Sequence, residues 1–196
     1  RGVVQLHRRL EAARAQNHAL AAHVANGPLP IIDTDAPPIE GALMPSEEVS
    51  DLLQSAGNHF PALEDAAEQL WREASLDGDH MFDRLKGHLG QLGIETRISR
   101  GPDQPLRRFQ PKHMVLHLSE QLAPRSRHFQ MAHQVALVQY GAAIEQLVQD
   151  SPLSTETSRA LARVALVNYF AGAVLMPYEH FAGAAETLRY DVELLG

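Results

Sequence analysis

The sequence predicts a mainly helical α+β fold with one small antiparallel sheet. Apolar residues recur at helical spacing over most of the chain, whereas period-two alternation is confined to residues 94–118. With 44% of its 196 residues hydrophobic, the chain can build one good core and a smaller appendage.

Arg1 to Ala25 sets Val3, Leu6, Leu10, Ala13, Leu20 and Val24 on one side of a helix, which Asn26-Gly27-Pro28 closes. Pro28, Pro30, Pro37, Pro38 and Pro45 make the next stretch an extended linker. Residues 1–45 are thus a connecting helix with its linker, and 46–196 the main domain. Ser46-Glu47-Glu48-Val49 offers a cap and first-turn acids for a short helix to about Ala56, broken by Gly57-Asn58. Pro61 to Ala74 is the next helix, with Leu63, Ala66, Ala67, Leu70 and Trp71 on one face. Asp77 or Asp79 caps a third, through Met81, Phe82, Leu85 and Leu89, stopping near Gly90 or Gly93.

Three strands follow, at Ile94 to Ser99, Leu106 to Phe109 and Val115 to Leu118, turned at Gly101-Pro102-Asp103 and Gln110-Pro111-Lys112. Pro124 to about Val148 reads as one long helix and Ser154 to Met176 as another. Pro177 opens the turn to a last helix pair, Tyr178 to Leu195.

Composition removes several function classes. The absence of Cys excludes disulfides, thiolate metal sites and an iron–sulfur cluster within this sequence. A formal charge of −7 argues against a whole-surface nucleic-acid footprint. No apolar run approaches the roughly 20 residues that span a bilayer. Arg1-Gly2 carries neither an initiator Met nor a signal-peptide pattern, so a soluble, cytoplasmic piece is expected. There is no G-x-S-x-G elbow and no P-loop.

Charge is unevenly placed. Ile31 to Glu95 holds 14 acidic and 3 basic residues, whereas Arg97 to Arg127 holds 7 basic residues against Asp103 and Glu120. One reading is a solvated face that pairs with the acidic half. The other is an anion site for a ligand carrying several phosphates, drawing on Arg97, Arg100, Arg107, Arg108, Lys112 and His113. Strand alternation lets only one of Arg107 and Arg108 face a single pocket, and Arg108 is the favoured one.

Phe129-Gln130-Met131-Ala132-His133-Gln134-Val135-Ala136-Leu137 has the outline of a zinc-protease helix, in which HExxH sets two His at i and i+4 with a Glu as general base. Only His133 remains. Gln134 stands at the place of the base and Leu137 at that of the second ligand, and a lone imidazole is a poor metal site. No zinc is expected.

Asn168-Tyr169-Phe170-Ala171-Gly172-Ala173-Val174-Leu175-Met176-Pro177 resembles a helix end of the ImmA/IrrE metallopeptidase-like family. In active members a carboxylate two residues before that Asn is the third zinc ligand; Leu166 stands there instead. The resemblance implies degenerate zincin-like helices, no catalytic residue and a protein that is not an enzyme. Asn58 to Leu70, Leu106 to Phe109 and Leu188 to Leu195 are similar to one branch, the short-chain fatty acyl transcriptional regulators.

That resemblance implies an N-terminal helix-turn-helix DNA-binding domain, a middle domain sensing CoA or short-chain acyl-CoA such as propionyl-CoA, and a C-terminal Cys-containing domain. The present chain would be the middle piece of a regulator of propionate or acetate (methylcitrate or glyoxylate cycle) genes. DNA would be bound only through the helix-turn-helix domain, any iron–sulfur cluster would belong to the Cys-containing domain, and a homo-oligomer is expected. Pocket candidates are His133, Gln134, Tyr140 (two turns beyond His133), Asn168 and Tyr169. Asn168 is an amide in an apolar helix and needs a partner when buried; for Tyr169 core packing is the competing role. Two other readings are an oligomerisation or interaction module without ligand binding, and a residual metallopeptidase.

Overall fold

The computed structural model describes residues 44–76, 80–101 and 104–176. The expected first helix, the Pro-rich linker, Asp77, Asp79, the Pro102-Asp103 turn and the helix pair from Tyr178 to Leu195 lie outside the described residues. Among the described residues are helices α1 (Pro45–Ser55), α2 (Pro61–Ala74), α3 (Met81–Gln91), α4 (Pro124–Gln139), α5 (Gly141–Gln149) and α6 (Glu156–Leu175), with strands β1 (Glu95–Ser99), β2 (Arg107–Gln110) and β3 (Val115–Ser119).

Helix α1 starts one residue before the expected cap. Proline has no N–H to leave unsatisfied, so Pro45 takes the first helical position, and the Glu47 carboxylate accepts the Met44 N–H at 2.8 Å. Glu48 accepts hydrogen bonds from the N–H and Oγ of Ser154, tying α1 to the entrance of α6. Gly57 and Asn58 stop α1 in left-handed backbone at φ 63° and 54°. Helix α2 buries Leu63, Ala66, Ala67 and Leu70, and Trp71 Nε1 donates to the Val174 carbonyl at 2.5 Å. His80 precedes α3, which buries Leu85, His88 and Leu89. His88 Nε2–H donates to Gln139 Oε1 at 2.7 Å, fastening α3 to the end of α4.

The sheet is mixed rather than antiparallel. Its order is β1-β3-β2, with β1 parallel to β3 and β2 antiparallel to it. Only β3 has apolar residues to bury on both faces, Val115 on one and Leu116 and Leu118 on the other, so it takes the centre. The half-exposed β1 and β2 are left as edges. A meander would have put β2 in the middle.

The expected long helix from Pro124 to Val148 is two helices. Tyr140 sits at φ −111°, ψ 8°, outside helical geometry, and α5 begins at Gly141. The break lets Ile144 and Val148 turn into the core while the Tyr140 ring packs on Phe170 with centroids 4.8 Å apart. Helix α4 is buried around much of its circumference, from Gln130 to Ala136 except half-buried His133, and packs along α6. Thr155 caps α6 by accepting the Ser158 N–H at 3.0 Å. Leu63, Leu70, Leu85, Leu116, Met131, Val135, Leu166 and Phe170 form the core.

Candidate functional site

Strand register divides the candidate cations between two faces. Arg107 is paired with Leu118 and Ile98 in turn with Leu118, placing these three on the inner face with Thr96, Leu116 and Phe109. Arg97, His117 and Arg108 form the corresponding row on the outer face. The favoured Arg108 therefore points away from the helices, and Arg107 points toward them.

On the inner face Arg107 Nη2 donates to Gln134 Oε1 at 2.6 Å. Gln134 is 1% exposed, at the heart of α4. Among the described residues no carboxylate lies within ion-pair distance of Arg107, and its Nε is buried without a hydrogen-bond partner. Burial pulls the guanidinium pKa below its ordinary value. The same site holds His133, whose Nδ1 is also buried without a partner among the described residues. Burial, and then the charge of Arg107, lowers this imidazole to about 3, so it is neutral at pH 7. Phe129, one turn earlier, lies 6.4 Å from the imidazole centroid to centroid.

The other cations are spent or solvated. Arg97 grips Glu95 with two bonds of 2.7 Å, and this pairing holds the Glu95 carboxyl below its usual range. Arg100 lies 3.8 Å from Glu120. Arg108, Lys112 and His113 are exposed, without a carboxylate partner among the described residues. The six expected phosphate contacts thus do not meet in one pocket.

The pocket candidates separate in the same way. Arg107, His133 and Gln134 come together. Tyr140 closes the far end of α4, accepting from Gln139 Nε2 at 3.3 Å, and burial raises its pKa, helped by the charge of Glu73. Tyr169 faces α2: its hydroxyl donates to Glu64 and accepts the Phe60 N–H at 3.3 Å, its ring meets Phe60 edge-on, and its pKa rises to about 12 through burial and the Glu64 bond. Asn168 keeps a buried Oδ1 without a partner among the described residues.

Residues not foreseen from the sequence extend the inner site. Arg127, Gln130 and Gln134 recur at i, i+3 and i+7 and share one face of α4. Among the described residues Gln130 Oε1 and Arg127 Nε are buried without partners, although Arg127 Nη2 reaches the Glu120 carbonyl at 2.6 Å. A polar stripe in a helix this buried is the signal that could have found them.

Among the described residues the donor set does not fit zinc. Leu137, at the place of a second ligand, is 47% exposed, Leu166 is 1% exposed within the core, and His133 stands beside a cation. Among the described residues no three His, Cys, Asp or Glu gather to hold a metal. Nor is any described helix long and apolar enough to cross a membrane.

A model of the IrrE N-terminal-like domain, also called Peptidase_M78, matches residues 89–196. The chain belongs to this family. As an IrrE-like chain it is 38% identical to the HTH-type transcriptional regulator PrpR of Mycobacterium tuberculosis, over 99% of its own length and 39% of that protein's. It is 35% identical to the HTH-type transcriptional regulator RamB of the same organism, over 98% and 40% of the respective lengths. Against the propionyl-CoA carboxylase regulator of Cereibacter sphaeroides the identity is 34%, over 80% and 33%. The chain therefore spans about two fifths or less of the curated relatives it matches. A solved structure of a Mycobacterium tuberculosis transcriptional regulator aligns with a TM-score of 0.73 at 38% identity, covering 78% of this chain and 48% of that one.

Proposed function

We propose that this chain is the effector-binding domain of a bacterial transcriptional regulator and that its effector is CoA or a short-chain acyl-CoA such as propionyl-CoA. The observation that carries the reading is the buried Arg107 guanidinium, held by Gln134 beside neutral His133 and matched by no carboxylate among the described residues. A charge kept in that setting is costly and calls for an oxygen-rich partner. The names of the relatives supply the regulatory context, one of them being a propionyl-CoA carboxylase regulator.

In this reading the phosphates lie toward solvent, near Arg108, Lys112 and His113, and the acyl end enters beside His133. Gln134 cannot act as a general base, and the domain has no peptidase activity. Residues 1–45 connect it to a DNA-binding domain and 46–196 form the sensor, which works as a homo-oligomer in the cytoplasm; any iron–sulfur cluster resides in a further Cys-containing domain. The effector acts by favouring one arrangement of subunits, and a decisive shift takes roughly 5 kcal/mol of differential binding.

Calorimetry with CoA, acetyl-CoA, propionyl-CoA and free propionate tests the proposal. Binding of a CoA species is expected; silence with all three CoA species overturns it, whether or not free propionate binds. Stoichiometric zinc in the purified chain would overturn the non-enzymatic part. The dispersal of the outer cations favours a second reading, an interaction module without a ligand. On that reading charge reversal at Arg107, Arg108 and Lys112 leaves regulation by the whole protein unchanged.

A further inference from the structure

Three features of the inner site bear on what the acyl end carries. The guanidinium of Arg107 is fixed in orientation, because Nη2 is bonded to the fully buried Gln134 at 2.6 Å. Among the described residues its Nε–H has no acceptor, and the imidazole Nδ1 of His133 beside it has no hydrogen-bond partner. Spending Oε1 of Gln134 on Arg107 also leaves that amide's N–H groups for another acceptor. Arg107 and Gln134 thus leave N–H donors beside His133 at a site where no described residue supplies an anion.

Their number limits the anion. Among the described residues Arg107 is the one candidate cation on this face of the sheet, and Arg127, on the same α4 stripe as Gln134, already gives its Nη2 to the Glu120 carbonyl; Arg97 and Arg108 are on the opposite face, and Arg97 and Arg100 already meet Glu95 and Glu120. A phosphomonoester or a pyrophosphate brings about two negative charges, more than Arg107 alone balances. A carboxylate brings one charge and two oxygens, suited to the Nε–H of a fixed guanidinium together with a neighbouring N–H.

We propose that Arg107, Gln134 and His133 form a buried receptor for a single carboxylate, supplied either by a free short-chain acid or by the free carboxylate of an acyl thioester whose acyl chain ends in one. This deepens the effector reading by naming the acid at the acyl end, and rests on that reading only for the thioester source.

The test is calorimetry on the full chain with propionate, its neutral analogue propionamide, inorganic phosphate, propionyl-CoA and succinyl-CoA. Propionate or succinyl-CoA is expected to bind, with at least about tenfold loss of affinity in Arg107→Met. Circular dichroism checks the fold of that variant. Should it not fold, Gln134→Glu serves: its own carboxylate occupies Arg107, and carboxylate ligands are expected to lose at least about tenfold as well. A response to propionate identifies the free acid; a response to succinyl-CoA alone identifies the thioester. The proposal is overturned if no carboxylate binds, if propionamide binds as well as propionate, if phosphate binds more tightly than either carboxylate, or if the variants bind unchanged. Propionyl-CoA binding without an Arg107-dependent carboxylate effect removes this proposal and leaves the effector reading. Arg107-dependent propionate binding with no CoA species bound does the reverse.

Discussion

Arg107 and Arg108 are adjacent in β2 and chemically identical, yet they occupy opposite electrostatic worlds. On the outer face Arg108 stands in water, and Arg97 in the same row is neutralised by Glu95. On the inner face Arg107 is desolvated against a neutral amide, with no carboxylate among the described residues. A solvated charge costs little and gains little, whereas a buried one constrains everything around it. On the proposed reading the inner face is where ligand chemistry is read, and the outer face is where charge is carried.

Acid exposes this difference most strongly. His133 titrates at about 3 in the folded chain and near 6.5 when unfolded, so the unfolded state binds the extra proton between those values. Its contribution is fully present above about pH 6.5 and is lost as pH falls toward 3. Between pH 7 and pH 4 the loss amounts to about 3 kcal/mol at most, and denaturation of His133→Met should lack it. An NMR titration placing the His133 midpoint near 6 would contradict this. In Arg107→Met the midpoint should rise while staying below 6.5, because burial remains.

Gln134→Leu comes next, because it strips the buried guanidinium of its acceptor; about 2 kcal/mol of stability should be lost in urea denaturation. Adding Arg107→Met to that variant should restore most of it, a coupling that independent sites would not show. Tyr169→Phe removes the hydroxyl that joins Glu64 to Phe60 and should cost about 1 kcal/mol by the same measurement, without changing ligand affinity. Arg97→Gln and Arg108→Gln should each leave the urea midpoint of the wild-type chain unchanged within error. A loss at either would mean the outer face is less solvated than it looks.

Local signals made much of the fold legible. Pro61 and the apolar face from Leu63 to Leu70 bounded α2 at Pro61–Ala74, as the periodicity requires. The three strands also lie where alternation puts them. Their order was not legible, because it depends on β3 being covered on both faces, a property of the assembled core. Nor was the break at Tyr140, where apolar spacing continues unbroken and only the packing on Phe170 favours a turn. At the site, His133 and Gln134 stood out through the outline of a known helix. Which of two adjacent arginines would join them could not be read, since alternation separates their faces without saying which is covered. Gln130 was passed over although it belongs to the same polar stripe.

Titration of succinyl-CoA into the wild-type chain, Arg107→Met and Arg108→Met compares the two faces in a single series. Arg107→Met should weaken binding at least about tenfold, and Arg108→Met by less than about threefold, as a solvent-screened contact does. Equal losses in the two variants, a loss confined to Arg108→Met, or no binding to the wild-type chain would contradict the assignment of ligand reading to the inner face.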